Sequence, residues 1–383
     1  MKQKILIIST VHNWNDVRIY LREAMTLANA GYDIELAAVA TAENMPQNIK
    51  IRELPQFKNR LMRAILGSLI SAYLSLTSKA TIIHFHDPEL IPIMFFVSFF
   101  KKVIYDNHEN LHDGLKDKHW IPLKKFTLPA FLLIERIAMK RFSIVLAETS
   151  HAVHYQSHSG DLEIVQNFPD YSFFVPYQMH SRSLEQINLF YVGGVTSARG
   201  IVTTLAALKI LKDRSVPFSF HCIGPFQSAI SENEQFKTLS EELGNQVIFY
   251  NRLSLHKAYE ISKKCNVGIA LLKRTRNYYE SYPTKLFEYM AIGMPYITSN
   301  FPLYAELVDE TKSGIYLDPD DAEQLATSLQ TIIANKEQYQ SMVMNGIRAV
   351  SSKYNWDIES QKLVKLYQQI FANKNLMSLR AKT

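Results

Sequence analysis

Residues 280–295 read ESYPTKLFEYMAIGMP and carry two glutamates, Glu280 and Glu288, with seven residues between them. Carboxylates accept hydrogen bonds from a diol, so the pair suits a polyhydroxylated ligand such as a ribose. Pro283 fits a first helical turn, where its missing N–H costs nothing. Gly293 fits the position after a helix and Pro295 stops it, which predicts a helix over 283–292. Thr284, Lys285 and Leu286 then open that helix, where unpaired amides favour an anion and Lys285 adds charge. Lys285 and Glu288 are also adjacent at i, i+3, so a solvated Lys–Glu pair on a surface helix is the competing reading. What favours a ligand is the preceding run VGIALLKRTRN, which reads as a buried strand. The helix start therefore lies at a sheet edge, with Lys273, Arg274 and Arg276 crowded into the same loop.

A second stretch, YVGGVTSARG (191–200), reads as a strand running into two glycines and a short loop before a helix. Gly193 and Gly194 let backbone amides approach a phosphate closely, and Arg199 can clamp the same phosphate with two N–H groups. The spacing is not that of the dinucleotide fingerprint, and a plain strand–helix turn is the alternative.

In the first half, HFHDPE (84–89) and YDNHEN (105–110) both close apolar runs. They bring His84, His86, Asp87, Asp106, His108 and Glu109 to one sheet edge. Metal ligation is one reading of this cluster. Binding of hydroxyls and handling of their protons fits imidazoles and carboxylates better, and capping of the next helices is the bland alternative. In HNWNDVR (12–18), Asn15 or Asp16 suits an N-cap and Arg18 can reach the same edge. DPDD (318–321) resembles a metal motif but precedes a helical pattern, so capping explains it.

The elements that must position these residues alternate in type. Apolar runs at 5–10, 33–39, 81–86, 102–107, 144–149 and 163–167 are separated by stretches of helical period. A second series follows at 189–194, 218–224, 246–251, 267–272, 296–300 and 314–318. Runs without strict alternation mark strands buried on both faces of a parallel sheet. The class expected is α/β, with two doubly wound, Rossmann-like parallel-sheet domains facing a cleft. The boundaries expected are 1–170, a linker over 171–187, and 188–354. Ligands in such sheets bind beyond the carboxyl ends of the strands.

With 383 residues and 47% hydrophobic content the chain is globular, and two domains are the default. The net charge of +6 is spread without a basic run, which suits an anionic ligand or membrane surface and disfavours nucleic acid. Two isolated cysteines give no zinc or disulfide framework. No export signal is evident, and LIPIMFFVSFF (90–100) is too short to span a bilayer, so a reduced cytoplasmic setting is expected. Two basic amphipathic stretches, 57–76 and 116–142, suit either a membrane interface or helices packed on the first sheet.

Taken together and in order, HFHDPE, YDNHE, IVQNFPD, the YVGG…RGI turn, Glu280-x7-Glu288 and GIYLDPDDAEQLATSL resemble glycosyltransferase family 4, of the GT-B fold, over nearly the whole chain. The continuation PTKLFEYMAIGMP is typical of its bacterial polysaccharide-building members. The resemblance implies a retaining, hexosyltransferase-type enzyme (EC 2.4) using a UDP or GDP sugar, without an obligatory metal. The acceptor implied is a glycan or a lipid-linked glycan, and the setting cytoplasmic, at the inner face of the membrane. It implies that Glu288 binds the donor ribose, that Glu280 contacts the donor sugar and that Gly193, Gly194 and Arg199 face the diphosphate; the helix start and its loop add Lys273, Thr284, Lys285 and Leu286 as expected donor contacts. It places His108, Glu280, Arg199 and Lys285 near the reaction, and Arg18, His86, Asp106, His108 and Glu109 toward the acceptor. A helix at about 355–375 is expected to pack back on the first domain. Two departures stand out: Gly194 replaces an arginine common in the family, and SYPTKLF replaces a glycine-rich segment, leaving Lys285 to supply the cation. A nucleotide-sugar epimerase of the same fold and a non-catalytic partner subunit also fit.

Overall fold

The computed structural model describes residues 2–39, 49–108, 124–156 and 158–380, and only the backbone of 124, 126, 276, 277 and 373–380. The chain forms two compact units. One comprises Met1–Asn167 and Trp356–Thr383, the other Phe168–Asn355.

The first unit is built on a seven-stranded parallel sheet in the order β3-β2-β1-β4-β5-β6-β7. Its strands are β1 (Lys4–Asn13), β2 (Asp33–Val39), β3 (Lys50–Leu54), β4 (Ile82–Phe85), β5 (Lys102–Asn107), β6 (Ser143–Leu146) and β7 (Leu162–Ile164). Side chains alternate across a strand, so Ile5 and Ile7 enter one core while Leu6 and Ile8 enter the other. The first core is closed by the helix Val17–Ala24, continued as Met25–Asn29, and by Leu363, Leu366, Tyr367 and Ile370 of the helix Trp356–Arg380. Trp356 Nε1 donates to Thr26 Oγ1 at 2.9 Å across that contact. The second core is closed by the helices Ser68–Thr77, Ile91–Val97 and Lys124–Met139.

The edge strand β3 was not expected. Its sequence, KIREL, has charged residues because an edge strand keeps one side in water. Arg52 and Lys50 there pair with Glu35 of β2, and against its burial Lys4 and Arg52 hold that carboxyl down at about 2.

The second unit has a six-stranded parallel sheet in the order β10-β9-β8-β11-β12-β13. The strands are β8 (Ile187–Val192), β9 (Phe218–Ile223), β10 (Val247–Phe249), β11 (Val267–Ala270), β12 (Tyr296–Ser299) and β13 (Gly314–Leu317). The segment expected as a linker, 171–187, is instead folded onto this unit. Phe174 and Tyr177 are buried beside Tyr259, and Arg182 donates to the carbonyls of Ser262, Cys265, Ile292 and Gly293.

The helix Lys285–Ala291 is held hard against this sheet. A Cβ at Gly268 of β11 would sit 2.5 Å from the Tyr289 ring, so only glycine admits the helix at this depth. Tyr289 Oη donates to Ile269 O at 3.1 Å, and Met290 packs against Gly346 of the helix Lys336–Ser352. The first turn of the short helix, with Lys285 and Glu288, is thereby fixed relative to the ends of β8 and β11.

Candidate functional site

In the second unit two cations meet at one turn. The strand β8 ends at Val192, and Gly193 and Gly194 carry the chain to the short helix Ser197–Arg199. A Cβ on Gly193 would lie 3.0 Å from Arg199 Nη1 and 3.1 Å from Lys285 Nζ. The glycine therefore leaves an open cradle lined by a guanidinium and an ammonium. The Tyr191 and Tyr278 hydroxyls hold Arg199, and Tyr191 Oη is itself tied to Gly194 O at 2.6 Å. Lys285 Nζ stands 4.0 Å from the centre of the Tyr191 ring. It is buried and makes no hydrogen bond. Burial, then the like charge of Arg199, lowers its pKa from 10.5 to about 7. Such a lysine is poised to regain its full charge when an anion arrives.

Glu288, one turn along the same helix, is partly exposed, and Tyr259 Oη donates to its Oε2 at 2.5 Å. Its second oxygen is left to accept from a ligand. Glu280 follows the short helix Arg276–Tyr279 and is partly exposed. Thr284 is the N-cap and Lys285 the first helical residue, so their amides have no acceptor inside the helix. Leu286 is different: its side chain is in the core and its amide donates to Pro283 O at 3.1 Å, so it serves packing rather than a ligand.

Lys273 also departs from expectation. Its Nζ is committed to Thr203 Oγ1, Pro319 O and Asp320 Oδ1 at 2.5–2.7 Å. Arg274 pairs with Asp318, while Asp321 caps the helix Ala322–Ala334 through the amide of Gln324. The DPDD stretch thus fastens the 273–274 loop, and Lys273 is a strut rather than a donor ligand. The Arg276 side chain lies outside the described atoms.

In the first unit the expected surface cluster is mostly interior. Arg18, His86 and Asp106 are buried, so none of them meets a ligand directly. Arg18 grips Asp106, with Nη2 to Oδ2 at 2.6 Å, and Nη1 donates to Val165 O at 3.1 Å. Burial works against both charges. Asp106 and Glu23 nevertheless raise Arg18, and Arg18 holds Asp106 well below the usual carboxylate range. Burial, helped by the nearby charge of Arg18, drives His84 to about 4 and His86 well below its usual value, so both imidazoles are neutral.

His108 is the member that reaches the surface. Its Nδ1 lies 3.1 Å from Asp106 Oδ1, which turns Nε2 outward. Beside it, at 5.3 Å between ring centres, stands His12 from the end of β1. The His12 Nδ1 faces Ser9 Oγ at 3.1 Å and Asp87 Oδ1 at 3.5 Å, and Asp87 is fixed in turn by Thr10. Two imidazoles, each backed by a carboxylate, thus stand side by side. Such a pair can bind and polarise a hydroxyl. His12 sits inside HNWNDVR but received no role from the sequence; its signal was a histidine directly after a buried strand. Tyr191 and Tyr259, which support Lys285 and Glu288, carried no signal beyond being aromatic. Glu109 lies outside the described residues.

Residues 178–349 match the family model for Glycosyl transferases group 1. Sucrose synthase from Solanum tuberosum is 29% identical over 93 residues, which is 23% of this chain and 12% of that protein's length. Sucrose-phosphate synthase from Thermosynechococcus elongatus superposes with a TM-score of 0.73 at 18% identity, covering 97% of this chain and 100% of the other. HepE from Anabaena, solved in complex with UDP, superposes with a TM-score of 0.69 at 13% identity, covering 96% and 100%. The fold is α/β of the GT-B type, with two Rossmann-like parallel-sheet units.

Proposed function

We propose that the chain is a retaining glycosyltransferase that moves a sugar from a nucleoside diphosphate donor to a glycan or lipid-linked acceptor in cell-surface polysaccharide synthesis. The observation that carries the donor assignment is the convergence of Arg199 and Lys285 on the Gly193 turn. As the glycosidic bond breaks, negative charge collects on the departing diphosphate. Arg199 offers a permanent cation there and Lys285 a buried one, worth more in this dry setting than in water. Glu288, steadied by Tyr259, takes the ribose hydroxyls, and Glu280 contacts the donor sugar. The match to the group 1 model covers the segment containing all four residues. UDP is the favoured nucleotide, because HepE of the same fold was solved with UDP.

On the acceptor side the reading shifts to His108 and His12, whose outer nitrogens receive the attacking hydroxyl. Arg18, Asp106 and Asp87 act behind them as positioning residues. Retention follows from front-face attack, in which the donor phosphate helps to take the acceptor proton.

The lipid-linked acceptor and an anionic membrane surface rest on the outer side of the first unit. The helices Ser68–Thr77, Ile91–Val97 and Lys124–Met139 bury Leu74, Met94 and Met139 but expose Leu69, Tyr73, Phe96, Leu133 and Ile137. At their foot Lys79, Lys101, Lys102, Lys140 and Arg141 line a hollow of about 510 Å³ with Phe99 and Phe100. Apolar side chains bordered by cations suit the interface of an anionic bilayer. No helix among the described residues is long and apolar enough to cross a membrane.

A thermal-shift panel of nucleotide sugars tests the donor. A UDP sugar is expected to raise Tm, as any ligand of the native state does, and a panel without a shift refutes the reading. Donor incubated alone separates transfer from epimerisation, since an epimerase yields the epimer and a transferase only slow hydrolysis.

A further inference from the structure

The mechanism above draws on Asp106 but leaves the rest of a fully buried cluster unused. Glu23, His84, His86 and Asp106 each bring one donor atom to within 4.8 Å of the others. His84 and His86 are two apart at the end of β4, so both rings leave the same face of the sheet, stacked with centres 4.7 Å apart. Glu23 comes from the helix Val17–Ala24 above that face, and Asp106 from the neighbouring β5.

The contacts of the two imidazoles with these carboxylates are too long for hydrogen bonds. Glu23 Oε2 lies 3.6 Å from His86 Nε2 and 3.8 Å from His84 Nε2, and His86 Nδ1 lies 3.9 Å from Asp106 Oδ1. Glu23 Oε2, both His86 nitrogens and His84 Nε2 are buried without a hydrogen-bond partner among the described residues. A few such atoms are found in a whole domain, whereas here four share one spot. Ligands held about 2.0–2.2 Å from a tetrahedral ion lie roughly 3.3–3.5 Å from one another, close to the separations seen.

The surroundings orient the donors inward. The Tyr367 hydroxyl meets His84 Nδ1 at 2.8 Å, which turns Nε2 toward the centre. Arg18 occupies the outer side, 3.1 Å from Glu23 Oε1 and 2.6 Å from Asp106 Oδ2, leaving Glu23 Oε2 to face the imidazoles.

We propose that Glu23, His84, His86 and Asp106 form a structural site for a divalent transition metal, zinc or another ion that accepts mixed imidazole and carboxylate ligands. The ion ties the helix Val17–Ala24 to β4 and β5 and, through Tyr367, to the helix Trp356–Arg380. Its full enclosure assigns it to stability and not to substrate activation.

The full chain, purified without a histidine tag and desalted, is expected to carry about one zinc, iron or manganese per molecule by elemental analysis. Chelation of the wild type should lower Tm by about 5 °C or more, with recovery on adding the metal alone. Cobalt(II) added to the stripped protein should give a visible d–d band that saturates at about one equivalent. Glu23→Gln and His86→Gln should cut retained metal at least about tenfold, and His12→Ala should leave it unchanged. Below about 0.1 metal per chain, with Tm indifferent to zinc, manganese and iron(II), the proposal fails and Glu23 is instead a protonated, neutral core residue. Undiminished metal in both cluster variants also overturns it. If those variants do not fold, the cobalt(II) spectrum of the wild type decides: a saturating band upholds the site and its absence refutes it.

Discussion

Raising the pH from 6.5 to 8.5 should weaken donor binding about 25-fold, close to 2 kcal/mol, through a single side chain. Lys285 is the group responsible. Its pKa of about 7 in the ligand-free protein comes from burial and from Arg199. A diphosphate seated at Gly193 opposes both causes and returns the ammonium toward its usual range. Binding therefore takes up protons: about half a proton at pH 7 and about nine-tenths at pH 8. The sign is fixed by the direction of the shift, since a base with a depressed pKa regains its proton only when its charged form is favoured. A nucleotide sugar is the right probe, because its diphosphate is a diester with no ionisation in this range. Calorimetry at pH 8 in buffers of different ionisation enthalpy reads the uptake directly. In Lys285→Arg the cation is permanent, so uptake should vanish while binding survives and becomes flat with pH. Uptake below about 0.3 proton in the wild type, or equal uptake in the arginine variant, refutes the assignment of Lys285 to the diphosphate.

Three other outcomes are expected. Glu288→Ala should weaken donor affinity by about 1–3 kcal/mol, the worth of hydrogen bonds to a charged group, and should also lower Tm, because the buried Tyr259 hydroxyl loses its acceptor; unchanged affinity by calorimetry removes the ribose role. Gly200→Ala should cost more than about 3 kcal/mol in a urea titration, because Gly200 has φ 72° and a Cβ there would lie 2.0 Å from Leu271 O; a variant as stable as the wild type contradicts that contact. The protein should sediment with anionic vesicles at low salt, and Phe99→Glu/Phe100→Glu should reduce binding at least about tenfold; indifference of the wild type to anionic vesicles removes the membrane reading.

The strands were legible because parallel sheets buried on both faces need unbroken apolar runs, as in ILIIST and VGIALL. The edge strand β3 escaped because KIREL obeys water on one side. Lys285 and Glu288 were singled out by helix punctuation together with the buried strand before it, but the approach of Lys285 to Gly193 was not legible, since the two are 92 positions apart and meet only through sheet order. The first-unit cluster was misplaced for a related reason. Strand-end polar residues ordinarily face solvent, and nothing in HFHDPE says that Tyr367 will cover them. Glu23 did leave a trace. It falls at i, i+4 between Ile19 and Leu27, inside the buried stripe of its helix, and a carboxylate at such a position signals an interior partner. Lys273 was assigned by proximity in sequence, and the competing acid, Asp320, lies 47 positions later.

The first core is closed by residues 363–371, which are made only after the entire second unit. At about 5–20 residues per second that interval is roughly 10–40 s, during which Ile5, Ile7, Ile82 and Ile104 have only the helices Val17–Ala24 and Met25–Asn29 as cover on that face. The newborn first unit is therefore a waiting, sticky intermediate, while the second unit, contiguous in sequence, can fold on its own schedule. Yield of soluble protein should depend on chaperone supply and synthesis rate more than on the stability of the finished molecule.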